Sequence, residues 1–357
     1  MKLGIVGLPN VGKTTLFNAL TGSKAETGSY TNAAAKPNIG SAKVPDERLD
    51  WLAEYYHPRK YSPATIEFVD VPGVASGGKG NEVFQAIRQV DALVEVVRCF
   101  DDDGIFLEKA DAVRDAESFD LELILADIEI VERRLERAKK NAKGGDKKYK
   151  RECEMCEALI AHLEQEKPAR DFPFGEEDQD ILTDGGLMSV KPVIYAANLD
   201  ETGMSNYEED PNYRALSEFA KARGAAVLPV AAKFEEDIAE LDPEEAQMFM
   251  EDMGLTETGL DRLIRTSYDL LGYISFLTAG EDDVHAWTIV KGTKAPRAAG
   301  KIHTDIERGF IRAEIVAFED LKACGSMAAV KEKGLFRLEG KEYVMQDGDV
   351  TMFRFNV

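Results

Sequence analysis

Cysteine is scarce: four in 357 residues are too few to staple a fold with disulfides, so a reducing compartment, the cytoplasm, is expected. Long apolar runs are missing. No stretch approaches the ~20 apolar residues that a membrane span needs. The opening Met1–Gly7 run, followed by Pro9, does not read as a signal peptide. Bases are the minority charge, with 44 Lys and Arg against 66 Asp and Glu, for a net charge of −22. A phosphate backbone would repel such a surface, so wholesale binding to DNA or other nucleic acid is not expected. What is present in quantity is hydrophobic residues, 44% of the chain, enough for a sizeable core.

The apolar residues fall into short β-branched runs separated by helix-like stretches: Leu3–Gly7, Ile66–Asp70, Ala92–Cys99, Pro192–Asn198 and Ala225–Ala232. Near-continuous apolar strands alternating with helices predict an α/β fold with a parallel-rich sheet covered on both faces. Such sheets bind ligands at the carboxyl ends of their strands. Polar residues sit where these runs end, at Asp70, Asn198 and Lys233.

Residues 119–189 have another texture. Leu121, Ile124, Ile128, Val131 and Leu135 form an apolar helix stripe. A polar Gly-Gly turn follows, and then a second stripe of Tyr149, Cys153, Cys156, Ile160 and Leu163. Two facing stripes around one turn predict an inserted antiparallel helical hairpin with a coiled-coil seam. Cys153-x-x-Cys156 has no second pair to complete a zinc site, and its seam positions make both cysteines core residues. Between Glu132 and Arg151 stand ten bases and three acids, a tip of net charge +7 on a body of −29. A basic tip on an acidic body is an electrostatic footprint for RNA, against the plainer reading of a solvated helical face. From Ile274 to Val357 alternating aromatic and β-branched residues predict a small strand-rich domain, with strands at His285–Val290, Phe310–Phe318, Leu335–Leu338, Tyr343–Met345 and Thr351–Phe355.

The motif that carries chemistry is Gly7-Leu8-Pro9-Asn10-Val11-Gly12-Lys13-Thr14, a G-x-x-x-x-G-K-T run after one predicted strand and before an apolar helix. That context makes it a P-loop: glycines let backbone N–H groups face phosphate oxygens, and the helix N-terminus favours their charge. Asn10, Val11, Gly12, Lys13, Thr14 and Thr15 are the expected phosphate-binding residues. Lys13 neutralises β- and γ-phosphate charge, and the Thr14 hydroxyl ligates Mg²⁺. Asp70-Val71-Pro72-Gly73 ends a strand about 60 residues on, where the carboxylate that holds Mg²⁺ belongs; Asp70 is that candidate. Asn198-Leu199-Asp200-Glu201 is the base-reading candidate. GTPases carry N-K-x-D at such a strand end, and the Asp takes two hydrogen bonds from guanine. Here Leu199 replaces the Lys and Glu201 the Asp, so the preference for guanine should relax or reverse. Ala231-Ala232-Lys233 resembles the S-A-K loop that flanks the base, which adds Ala232 and Lys233 to the site.

These motifs belong to a larger pattern. It includes Asp91–Phe100, Ala286-Trp287-Thr288-Ile289, Lys291–Pro296, Ile302–Glu314 and Gln346–Val350. Over essentially its whole length the chain resembles the YchF subfamily of Obg-like ATPases, within the translation-factor-related P-loop GTPases. The resemblance implies a G domain (1–118 and 190–273), the helical insert (119–189) and a C-terminal TGS domain of β-grasp type (274–357). It implies a slow Mg²⁺-dependent ATPase that takes ATP in preference to or alongside GTP. It also implies a nucleotide-dependent switch at the ribosome, with the basic tip 133–151 and the TGS domain as contacts to ribosomal RNA. A true GTPase of the same fold, or a nucleotide-sensing ribosome binder with negligible turnover, stays open.

Two positions depart from the family pattern. Counting back from Pro37-Asn38 puts Ala34 where the first switch usually has a metal-binding Thr. The second switch reads Val74-Ala75-Ser76-Gly77-Gly78 rather than the family's usual G-L-V-K-G run, but keeps an apolar residue, Val74, where small GTPases have a water-positioning Gln. Slow intrinsic hydrolysis follows, and no catalytic base is assigned. The run Lys291, Lys294, Arg297 and Lys301 is a second candidate RNA contact, while Trp287 and His303 read as fold residues.

Overall fold

Contacts divide the chain into two units, Met1–Ser41 with Glu67–Leu263, and Ala42–Ile66 with Ile264–Val357. In the computed structural model the residues described are 2–25, 37–73, 81–102, 108–144, 146–175, 178, 186–252 and 257–356.

The first unit is built on a six-stranded sheet. Its strands are β1 (Lys2–Val6), β2 (Asn38–Lys43), β4 (Thr65–Asp70), β5 (Ala92–Arg98), β6 (Val193–Asn198) and β7 (Ala226–Val230), in the spatial order β2-β4-β1-β5-β6-β7. The pairs β1–β4, β1–β5, β5–β6 and β6–β7 are all parallel. Every residue of β5 and β6 is buried, as expected of central strands covered on both faces. The core around them gathers Val6, Val69, Leu93, Val97, Phe119, Leu123, Tyr195 and Leu216. All five predicted runs are strands of this sheet.

The insert is a helical hairpin of α4 (Ala112–Ala142) and α5 (Lys147–Leu163). Asp111 caps α4 by accepting the Arg114 N–H, and Asp146 caps α5 through Lys148 N–H. Its seam packs Ile124 and Val131 against Met155, Cys156, Leu159 and Leu163. Two details differ from the sequence expectation. Leu121 is 37% exposed, and Cys153 is only half-buried, so the seam runs through Leu159 rather than through the earlier stripe member Cys153. Arg134–Glu152 (2.7 Å) and Lys139–Glu157 (2.8 Å) ion pairs tie the two helices near the basic tip.

Buried carboxylates on α4 hold the hairpin to the segment that follows it. Asp127 of α4, wholly buried, accepts from Met188 N (2.8 Å), Ser189 N (2.8 Å) and Ser189 Oγ (2.7 Å) just before β6. Asp120 takes both of its carboxylate oxygens to Arg170 Nη2, at 2.6 and 2.5 Å. Burial raises the Asp127 pKa even against these donors, so the bonds are needed to keep a charge there.

The second unit has its own sheet, in the order β11-β10-β12-β8-β9-β3. Its strands are β3 (Lys60–Ser62), β8 (Tyr273–Ala279), β9 (Asp283–Val290), β10 (Phe310–Ala317), β11 (Arg337–Glu339) and β12 (Asp349–Phe355). The core on one face consists of Phe276, Ile289, Ala295, Ala299, Ala313, Ile315 and Phe353. Tyr343–Met345, expected as a strand, makes only a single bridge between Val344 and Lys294. The main correction concerns residues 42–66, which the sequence reading placed in the G domain. They supply α2 (Glu47–Tyr56) and β3 to this unit, and β3 pairs parallel to β9, Tyr61 opposite Val284.

Candidate nucleotide site

The P-loop spans the turn between β1 and α1 (Lys13–Thr21). Its glycines are sterically required. A Cβ on Gly7 would lie 2.5 Å from the Val96 carbonyl, and one on Gly12 would strike the Asn198 amide. Both have positive φ, +136° and +97°, and Asn10 is also left-handed at +64°. Gly12 stands at the N-cap of α1 and no side chain caps that helix. The first N–H groups of α1 are thus left for an anion, and the helix dipole favours one there.

Lys13 is buried, and its ammonium donates to the Leu8 carbonyl at 2.5 Å. Burial lowers its pKa to about 8, while the nearby Asp70 charge works in the opposite sense. A Cβ on Gly73 would lie 3.1 Å from the Lys13 Nζ and from Pro9, so the D-x-x-G glycine packs closely against the P-loop. Thr14 Oγ1 donates to Asp70 Oδ2 at 3.0 Å. Asp70 lies at the end of β4, and burial pushes its pKa up against the donors around it. A hydroxyl and a carboxylate brought this close are hard oxygen donors of the kind Mg²⁺ takes, and the pair fits that ion. Thr15 continues the first turn of α1.

The candidate base-reading segments converge on the same loop. Asn198, at the end of β6, donates from Nδ2 to the Val11 carbonyl (2.9 Å) and accepts the Ala232 N–H (3.0 Å). One buried carboxamide therefore joins the phosphate loop to the start of the helix Ala232–Ala239. Leu199 is buried, and its N–H bonds the Val230 carbonyl at 2.8 Å. Glu201 opens the exposed short helix Glu201–Ser205, which Asp200 caps through Gly203 N–H at 2.6 Å. Lys233 is exposed and paired with Glu236 (3.2 Å) and Asp237 (2.9 Å) of its own helix. Ala34, Val74 and the loop 76–80 lie outside the described residues.

Two site residues were not singled out from sequence. Asn18, a polar residue in the apolar face of α1, donates to the Ala25 carbonyl (3.0 Å) and accepts its N–H (2.9 Å), fixing the chain as it leaves toward the first switch. Asn38, where the chain re-enters the sheet, donates to Asp70 Oδ2 at 3.3 Å. The signal for Asn18 was its polarity at a buried helix position; Asn38 closes the Pro37-Asn38 pair that aligned the first switch, but that pair did not point to Asp70.

Comparison with known proteins bears on the same residues. A family model described as "50S ribosome-binding GTPase" matches residues 2–141, and the YchF-GTPase_C model, described as "Protein of unknown function (DUF933)", matches 273–356. The chain is 50% identical to the "Ribosome-binding ATPase YchF" of Bacillus subtilis, over 99% of both chains. It is 39% identical to the "Obg-like ATPase 1" of Oryza sativa subsp. japonica, covering 100% of this chain and 92% of that one. The solved Schizosaccharomyces pombe YchF GTPase superposes with a TM-score of 0.87 at 34% identity, covering 99% of this chain and 97% of that one. The P-loop fold, the helical insert and the C-terminal unit are thus parts of one shared architecture, and the chain belongs to the YchF family.

Proposed function

We propose that the chain is a cytoplasmic, ribosome-binding ATPase that uses nucleotide binding and slow hydrolysis to ADP and phosphate as a switch. The observation that carries this reading is the convergence of Lys13, Thr14 and Asp70 beside the uncapped N-terminus of α1. The names of the full-length relatives supply the choice of ATP and of the ribosome.

In this reading the N–H groups of 10–15 hold the phosphates, and Lys13 exchanges the Leu8 carbonyl for a phosphate oxygen. Thr14 and Asp70 would hold Mg²⁺, which when bound neutralises charge on the β- and γ-phosphate oxygens. Asn198 keeps the phosphate loop and the Ala232 turn at a constant separation, so base and phosphates are gripped together. Glu201 in place of Asp weakens paired hydrogen bonding to guanine, and ATP is taken alongside or ahead of GTP. The exposed bases of the tip 133–151 and the C-terminal domain, which we read as a β-grasp TGS domain, meet ribosomal RNA.

The test is single-turnover phosphate release from ATP, with and without ribosomes, beside the Lys13→Ala variant. Slow release that ribosomes accelerate and Lys13→Ala abolishes is expected. Absence of release in both conditions would overturn the enzyme reading. It would favour the nucleotide-sensing alternative, to which Ala34 in the Thr position already points.

A further inference from the structure

Asp70 Oδ2 accepts two hydrogen bonds, from Thr14 Oγ1 at 3.0 Å and from Asn38 Nδ2 at 3.3 Å. The two donors differ in kind. Thr14 is itself a candidate metal ligand, so its hydroxyl oxygen would be committed to the ion. Asn38 is neither a P-loop residue nor a hard anionic ligand. Among the described residues it is the donor to Asp70 that metal binding leaves unchanged. An ionised carboxylate only accepts, so the Asn38 atom facing Asp70 is its NH₂ group. The carboxamide still carries an acceptor oxygen, the group needed to receive a hydrogen bond from a water on a hydrated ion.

Chain position adds a second argument. Asn38 is the first residue of β2 and lies toward the end of the stretch read as the first switch. Ala34, in that switch, has no side-chain oxygen with which to ligate a metal. Asn38 is thus the described polar residue of this flank that reaches the metal carboxylate. Its side chain is exposed, whereas Asp70 is only 6% exposed. An exposed carboxamide needs no partner for its own sake, because water satisfies it. Its bond therefore serves the orientation of Asp70.

We infer that Asn38 is a positioning residue for the metal: it orients the Asp70 carboxylate for the Mg²⁺ of a bound nucleotide and ties the end of the first switch to that ion. This rests on the reading of Lys13, Thr14 and Asp70 as an ATP·Mg²⁺ site.

The experiment is calorimetric titration of the full chain with ATP, once in excess Mg²⁺ and once in EDTA, for the wild type, Asn38→Ala and Asn38→Asp. The readout is the ratio of the two dissociation constants, which isolates the metal's contribution to binding. Residues that orient a metal ligand typically contribute tenfold or more to metal affinity, so Asn38→Ala should shrink the ratio about tenfold. Affinity in EDTA should stay within about twofold, a change under 0.5 kcal/mol. Asn38→Asp, similar in shape but without the donor, should shrink the ratio at least as much. A purely structural bond would weaken binding equally in both buffers and leave the ratio unchanged; that result overturns the inference and spares the site. If the wild type itself binds ATP equally with and without Mg²⁺, the metal site falls and the role of Asn38 falls with it.

Discussion

Asn198 and Val11 lie 187 residues apart in sequence, and the Asn198 carboxamide donates to the Val11 carbonyl at 2.9 Å. The same side chain accepts the Ala232 N–H, so a single residue at the end of β6 braces the P-loop against the start of the helix Ala232–Ala239. Replacing it with Ala leaves two buried backbone groups unpaired. Each such loss costs on the order of 1–3 kcal/mol, so Asn198→Ala should lower unfolding stability by about 2–6 kcal/mol and ATP affinity by at least tenfold. Urea unfolding and calorimetry on the same preparation check both. Unchanged stability would mean that the brace is not needed.

Glu235 gives a pH prediction. It lies in the first turn of the helix Ala232–Ala239, 3% exposed, and its Oε1 accepts the Gly259 N–H at 2.6 Å. Burial, with Asp261 adding to it, pushes its pKa from 4.5 up to about 7; the Gly259 and Leu260 N–H groups and Arg262 act in the opposite sense. A carboxyl whose pKa is raised by folding contributes stability that is complete below the unfolded value and is lost as pH climbs through the folded one. Glu235 should therefore cost the protein about 3 kcal/mol between pH 4.5 and 7.5, at 1.36 kcal/mol per unit. Glu235→Gln removes that titration, so its stability relative to the wild type should rise across this window. A difference that is flat with pH contradicts the assignment.

The cysteines should separate by reactivity. Cys156 is fully buried in the hairpin seam and its pKa is pushed up to about 11, and burial also raises that of Cys99. Cys153 and Cys324 are half-buried. Iodoacetamide at neutral pH should label Cys153 and Cys324 at least tenfold faster than Cys99 and Cys156 in the native protein, read by mass spectrometry. Rapid labelling of Cys156 would mean that the seam opens readily.

Ribosome binding should be salt-dependent and governed by the tip. Arg137, Lys140, Lys147 and Lys150 are exposed there. Changing the four to Glu should abolish co-sedimentation with ribosomes at moderate salt, while wild-type binding falls steeply as salt rises. The substitutions are on solvent-facing positions, so the helical signal should persist. Undiminished binding would move the ribosome contact elsewhere on the chain.

How far the fold could be read from sequence depends on element length and burial. β5 and β6 are continuous apolar runs buried on both faces, and the P-loop lies between a strand and a helix, so each carried its own signal. The hairpin was visible for the same reason, as two long stripes. Leu121 and Cys153 misled because neighbouring stripe positions on a long helix differ only slightly in angle, and the partner helix decides which is covered. The transfer of residues 42–66 to the second unit left no mark: β3 is three residues long, and its parallel pairing with β9 joins segments more than 200 residues apart. At the site, residue types at fixed spacing singled out Lys13, Thr14, Asp70 and Asn198, which the structure brings around one loop. Asn38 served in the sequence only to align the first switch; its bond to Asp70 depends on where the chain re-enters the sheet, which spacing does not encode.

The central claim is tested most directly by titrating the nucleotide-free protein calorimetrically with ATP and then with GTP, both with Mg²⁺. The account predicts ATP binding at least as tight as GTP, because Glu201 replaces the guanine-reading Asp and Leu199 the Lys. Tight GTP binding with weak ATP binding would contradict it and make the chain a GTPase in which Glu201 reads guanine.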